Sequence, residues 1–372
     1  MSNVTSQMSL PKVILVDIID PRTTPEESLA RLNELERLVN TYGGFVIIRK
    51  IQRRQMPDYR TYVGKGKVND ILEIAKTEKA EYLIINNLLK PEQLYNLEAM
   101  FEKLKLKVWD KIDLILEIFA KHATTKEAKL QIELAKMKHL GPRTAKMGAE
   151  LMRQGGGLGT RRGVGETNIE IMKRHIKNRE RNLKKNIEKI EKSQADQREK
   201  RKDSGFKTVA IVGYTNAGKS QLLKSLTKKD VKIKDELFAT LDSRIGKMYL
   251  PELNGCCLVS DTIGFVRDLP HELIDAFHST LAETIYSDLI LHVIDVDDLD
   301  MEWKIGVVNK VLSQLKCGDK KMIYVFNKTD LLNRHQIKNI TEKYRGIDPI
   351  FISAKEKNNL DALKSVIAKN LS

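Results

Sequence analysis

One octapeptide constrains this chain more than any other feature in it. GYTNAGKS (213–220) follows the apolar run TVAIV and opens the helical stretch QLLKSL. It matches G-x-x-x-x-G-K-[ST] and sits between strand and helix, the context that pattern requires. A loop of this composition wraps backbone N–H groups around phosphates at a helix N-terminus, where the dipole favours negative charge. A buried strand must therefore feed a helix here, as in a P-loop α/β domain. Gly213, Tyr214, Thr215, Asn216, Ala217 and Gly218 are expected to form the cradle, with Gln221 just behind it. Lys219 is expected to reach the β- and γ-phosphates, and the Ser220 hydroxyl to bind Mg²⁺.

Three shorter motifs follow, each at a predicted strand end. DTIGF (261–265) ends GCCLVS, placing Asp261 to hold Mg²⁺ through water and the Gly264 N–H to sense the γ-phosphate. NKTD (327–330), holding Asn327 and Lys328, ends MIYVF. Its Asp330 carboxylate can accept from the guanine N1–H and exocyclic amine, a donor pair that adenine lacks. SAK (353–355) follows PIFI and brings Ser353 and Ala354 beside the guanine carbonyl, with Lys355 next to them. Between the first two motifs lies LFATLD (237–242), with Phe238 and Thr240. A switch threonine at such a place ligates Mg²⁺ only when the γ-phosphate is present. Lys219, Thr240 and Gly264 are thus the expected catalytic groups, and Ser220, Thr240 and Asp261 the expected metal set. Singly, Asn327 could cap a helix and Asp261 could end a strand. Together and in this order they predict a guanine-nucleotide domain.

Two residues bear on mechanism. Many GTPases carry a glutamine after D-x-x-G to orient the attacking water, but this chain has Phe265. Either the domain hydrolyses slowly alone or borrows a group from elsewhere, or Phe265 packs beneath the switch. Asn216 stands where the sequence resembles potassium-stimulated GTPases, which implies K⁺ as an activator near the phosphates.

Further apolar runs at 256–261, 289–295, 322–327 and 349–353, separated by helices, predict a parallel sheet covered on both faces over 206–372. Residues 1–110 alternate strand-like runs (12–18, 44–51, 81–85, 105–109) with helical periodicity at 25–41, 67–78 and 91–104. That predicts a small parallel α/β subdomain. From 111 to 203 the strand signal vanishes, and two long helices flank RQGGGLGTRRGVGET (153–167). Ile169, Met172, Ile176, Leu183, Ile187 and Ile190 fall at helical-seam spacing, so a helical hairpin with a Gly/Arg tip is expected. A polar linker is expected near 201–206.

Charge is unevenly placed. Residues 1–205 hold 41 basic and 28 acidic side chains, and residues 206–372 hold 24 and 22. Within 171–202 the count is 13 against 5. The first half is therefore expected to meet a polyanion; a lysine-rich bias or a solvated coiled-coil surface are the plainer readings. Arg153, Arg161 and Arg162, beside the glycines, are the candidate RNA contacts. Three cysteines exclude a disulfide framework, and no apolar run reaches membrane-spanning length. The N-terminus has no basic-then-apolar signal pattern. A cytoplasmic protein, monomeric when free, is expected.

The chain resembles the HflX family of ribosome-associated GTPases. GYTNAGKS, FATLD, DTIGF and NKTD resemble its nucleotide motifs. YVGKGKV (62–68), PEQLYNLE (91–98), DLILEIFAKHATTKEAKLQIELA (113–135) and GGGLGTRRGVGETNIE (155–170) resemble its N-terminal half. The resemblance implies an α/β subdomain, a helical hairpin and a GTPase domain. It further implies that the N-terminal half binds the large ribosomal subunit and its RNA and helps split stalled ribosomes. GPRT (141–144) and RRGVGE (161–166) depart from the family pattern, and only a last helix follows SAK. The alternatives are a GTPase of ribosome assembly or tRNA modification, and a GTP-sensing adaptor that binds a protein.

Overall fold

The computed structural model describes residues 10–154, 168–227, 237–238, 244–262, 264–267, 273 and 278–372. The chain divides into two compact units, Met1–Lys121 with Ile132–Lys184, and His122–Gln131 with Lys185–Ser372.

In the first unit, β1 (Lys12–Ile19), β2 (Phe45–Arg53), β3 (Tyr82–Ile85) and β4 (Lys107–Asp110) form a parallel sheet in the order β2-β1-β3-β4. All of β1 except Lys12 is buried, as an interior parallel strand requires. Between strands run α1 (Pro25–Tyr42), α2 (Lys65–Glu78) and α3 (Pro91–Phe101). Thr24 caps α1 by accepting the Glu27 N–H at 3.2 Å, ahead of Pro25. Ile14, Val16, Leu83 and Ile85 share a core with Leu94, Leu97 and Phe101. Trp109 meets Tyr42 and Tyr82 edge-on, with ring centroids 5.3 and 4.6 Å apart.

At the end of β4, Asp110 and Asp113 each accept the other's backbone N–H, at 3.1 and 3.0 Å. This reciprocal cap opens α4 (Lys111–His122). His139 Nε2 lies 3.1 and 3.3 Å from the same two carboxylates.

The two long helices expected there are α5 (Lys126–Gln154) and α6 (Asn168–Asp203); the expected Gly/Arg tip between them, 155–167, lies outside the described residues. Arg179 of α6 pairs with Glu133 of α5 at 2.6 Å. Among the described side chains of the seam, Leu183 and Ile187 are buried and Ile176 and Ile190 half-buried; those of Ile169 and Met172 lie outside the described residues. α6 continues to Asp203, so its last three residues replace the start of the expected linker: the long polar side chains of QREKRK are good helix formers.

The second unit holds a six-stranded sheet in the order β10-β9-β8-β5-β7-β6. Its strands are β5 (Thr208–Gly213), β6 (Arg244–Leu250), β7 (Gly255–Asp261), β8 (Leu289–Asp295), β9 (Met322–Asn327) and β10 (Ile350–Phe351). Five strands are parallel, while β6 runs antiparallel to β7. That edge strand is absent from the sequence reading, and the PIFIS run shortens to two strand residues. Side chains alternate between faces. Val209, Ile211 and Leu291 pack with Leu222 and Leu226 of α7 (Lys219–Thr227) and Leu363 and Ile367 of α11 (Leu360–Leu371). Val212 and Ile290 pack instead with Leu281 of α8 (His278–Ile285) and Val308 and Leu312 of α9 (Met301–Gln314). A further helix, α10 (Arg334–Lys343), follows NKTD. No helix among the described residues is long and apolar enough to cross a membrane.

Candidate active site

The C-terminal end of β5 delivers the glycine-rich loop to the edge of the sheet, beside the ends of β7, β8 and β9. Gly213 has φ +155, and a Cβ there would lie 2.3 Å from the Val293 carbonyl oxygen. Asn216 is exposed and left-handed, with φ 64. Gly218 has φ +91, and a Cβ there would lie 2.2 Å from Asn327 Nδ2. Only glycine combines that backbone with that approach.

Lys219 opens α7, is buried, and donates from Nζ to the Tyr214 carbonyl at 2.7 Å. Burial pushes its ammonium down to about 8, partly offset by the Asp261 carboxylate. The next residue, Ser220, donates from Oγ to Asp261 Oδ2 at 2.6 Å. A hydroxyl and a carboxylate so placed are hard oxygen donors of the kind Mg²⁺ takes, so the pair fits that ion.

The DTIGF backbone lies against the phosphate loop. Phe265 accepts the Thr215 N–H at 2.8 Å and donates to the Gly213 carbonyl at 3.2 Å. A Cβ on Gly264 would lie 2.8 Å from Thr215 Cγ2 and 2.9 Å from Lys219 Nζ. The Phe265 ring is 1% exposed, in the core with Val212, Leu281 and Ile290. Of the two readings of Phe265, this position agrees with packing. Two residues on, the Arg267 guanidinium sits 3.7 Å from the centre of the Trp303 ring.

NKTD and SAK meet through Asn327. Its Nδ2 donates to the Ala217 carbonyl at 2.9 Å, and its Oδ1 accepts the Ala354 N–H at 2.9 Å. One buried amide thereby braces the phosphate loop against SAK. The Ala354 carbonyl accepts from Ser225 Oγ at 2.8 Å and Gln221 Nε2 at 3.3 Å, so Gln221 braces the same loop. Lys328, with φ 69, pairs with Asp295 at 2.6 Å. Asp330 is exposed, and its Oδ1 accepts the buried Ser353 hydroxyl at 2.5 Å. Lys355 is exposed, near Glu356. Phe238 is buried. Thr240, Arg161, Arg162 and the Arg153 side chain lie outside the described residues.

Comparison with known proteins bears on this geometry. Family profiles described as "GTP-binding GTPase N-terminal", "GTP-binding GTPase Middle Region" and "50S ribosome-binding GTPase" match residues 29–120, 122–201 and 208–328. The GTPase HflX of Caldanaerobacter subterraneus subsp. tengcongensis is 44% identical over 97% of this chain and 80% of its own length. This chain belongs to the HflX GTPase family. The Escherichia coli member is 35% identical over 94% of this chain and 81% of its own. The crystal structure of SsGBP with GDP superposes with a TM-score of 0.53 at 27% identity, covering 97% of this chain and 98% of that one. This chain is accordingly a GTPase.

Sequence reasoning missed Ser225 and His292. No local pattern marks Ser225, whereas His292 is legible as the one polar residue in LILHV. His292 is buried in β8, and its Nδ1 has no hydrogen-bond partner. Burial, and then the Lys219 charge, push its imidazole from 6.5 down to about 3. Between those values the unfolded chain holds a proton that the folded chain refuses, so stability falls with falling pH. From pH 7 to pH 5 this single group is expected to remove about 2 kcal/mol. His292→Leu, which cannot titrate, should lose correspondingly less in urea unfolding at the two pH values. Equal losses for variant and wild type would refute the assignment.

Proposed function

We propose that this GTPase works with Mg²⁺ and, in its GTP-bound state, engages the large ribosomal subunit through its N-terminal half and hairpin to rescue or split stalled ribosomes in the cytoplasm. In this reading residues 206–372 bind and turn over the nucleotide, and residues 1–203 recognise the ribosome. The observation that carries it is α6. Lys177, Arg181, Lys184, Lys185, Lys189 and Lys192 are all exposed on a helix whose buried side chains, among the described residues, are Leu183 and Ile187. Such a face suits RNA phosphates, and the matched profile of the adjoining domain describes a 50S ribosome-binding GTPase.

In this role Lys219 neutralises the β- and γ-phosphates and the Gly264 N–H meets the γ-phosphate. Ser220 and Thr240 would ligate the metal, and Asp261 would hold it through water. Mg²⁺ held there would supply charge stabilisation to the phosphate oxygens. Whichever way Phe265 packs, its phenyl ring cannot hydrogen-bond the attacking water, so in this reading unaided turnover is slow. The test is sedimentation of the full chain with ribosomes and isolated subunits, with GDP or a non-hydrolysable GTP analogue, over a salt series. Pelleting with the large subunit in the analogue state, released steeply by salt, is expected. No pelleting in either nucleotide state would overturn the ribosomal role and leave the GTPase assignment standing.

A further inference from the structure

The last residue of α4, His122, places Nδ1 3.2 Å from the carbonyl oxygen of Phe238. A carbonyl only accepts, so this contact requires the Nδ1–H tautomer or the charged ring. Phe238 is 2% exposed and has φ 59. A bulky aromatic residue adopts that left-handed backbone only where its surroundings impose it, and such residues cluster at switch segments. Here the surroundings include the burial of its ring and the imidazole that donates to its carbonyl. The two residues are 116 positions apart, yet both belong to the second compact unit.

We propose that His122 is a positioning residue for GTP hydrolysis: its Nδ1–H holds the Phe238 carbonyl and so fixes the left-handed backbone of Phe238, two positions before Thr240 in the sequence. The role rests on the reading of residues 237–242 as the segment that supplies Thr240 to the metal. The carbonyl direction of a left-handed residue dictates where the next peptide goes, so releasing it lets Phe238 relax towards an ordinary backbone. The ground-state nucleotide, held by the phosphate loop and NKTD, is indifferent to this contact. Hydrolysis is not. The α4–α5 corner thus acts directly on the rate of the GTPase.

The test uses three full-length variants. Asparagine can place its amide nitrogen where Nδ1 stands, whereas glutamine reaches to the position of Nε2. His122→Ala is expected to lower kcat for GTP about tenfold, the size of effect that follows loss of one oriented hydrogen bond, with KM and GDP affinity within about twofold of wild type. His122→Asn should recover most of that loss, and His122→Gln should not. Unchanged kcat in His122→Ala, or equal rescue by asparagine and glutamine, would overturn the proposal. So would a loss in all three that tracks a fall in Tm, since that pattern belongs to packing alone. Thr240→Ala separates the two layers: if it hydrolyses GTP normally, the reading of 237–242 fails. If Thr240→Ala is inactive and His122→Ala is not, only the positioning role fails.

Discussion

Asp330→Asn is expected to weaken GTP binding by about 100- to 10,000-fold, the combined effect of two hydrogen bonds to a charged acceptor at about 1.5–3 kcal/mol each. In the proposed base pocket the carboxylate would accept from both the N1–H and the exocyclic amine of guanine, and an amide could accept from only one of them. Its NH₂ then faces a donor. Xanthine carries a carbonyl where guanine carries the amine, so xanthosine triphosphate should gain on the variant what GTP loses. Ser353 makes the exchange geometrically clean. Its hydroxyl donates to Asp330 Oδ1 at 2.5 Å, and the same hydroxyl would hold the asparagine carbonyl oxygen, leaving the NH₂ towards the base. Competition binding of the two nucleotides measures both arms. GTP affinity within twofold of wild type, with no gain for the xanthine nucleotide, would show that Asp330 does not read the base.

Gly218→Ala should be nearly as damaging, through a different cause. Its φ of +91 is a backbone that costs an L-residue about 1–2 kcal/mol. The added methyl would also stand 2.2 Å from Asn327 Nδ2. Asn327 cannot retreat without surrendering its bonds to Ala217 and Ala354, both 2.9 Å long. Removing buried amide bonds costs about 1–3 kcal/mol beyond the backbone strain. The expected result is a loss of about 2–4 kcal/mol in urea unfolding, together with at least a hundredfold loss of GDP affinity. Calorimetry on a variant that binds GDP within about fivefold of wild type would mean that the brace is dispensable.

The two variants also separate what is legible in sequence from what is not. The phosphate loop, DTIGF, NKTD and their strands can be read directly, because each is a contiguous run whose chemistry and periodicity agree. The two long helices are legible for the same reason, as a sustained seam. β6 is harder to see. RIGKMYL buries Gly246, Met248 and Leu250 alternately, but two of its residues are basic and only the Asn254–Gly255 turn advertises a hairpin. Asn327 is visible as a motif residue, but its brace spans 110 positions to Ala217 and 27 to Ala354, and no local pattern encodes such partners. Gln221 and Ser225 belong to the same class. Phe265 leaves two readings open until its surroundings are known, since a phenyl ring is equally compatible with a switch and a core. His122 offers no signal at all, because its partner is a backbone carbonyl and any residue could supply one.

The distribution of indole rings has an optical consequence. The chain holds two tryptophans, Trp109 in β4 of the first compact unit and Trp303 in α9 of the second. Trp109 is enclosed by the rings of Tyr42 and Tyr82, so its emission reports whether that aromatic cluster is intact. Trp303 lies under the guanidinium of Arg267, two residues beyond DTIGF, where a cation over the indole face alters its excited state. Each unit therefore carries its own intrinsic fluorophore. Trp109→Phe leaves a chain whose emission follows the nucleotide side alone, and Trp303→Phe one that follows only the unfolding of the first sheet. Stopped-flow fluorescence can time the two events separately in one unlabelled polypeptide.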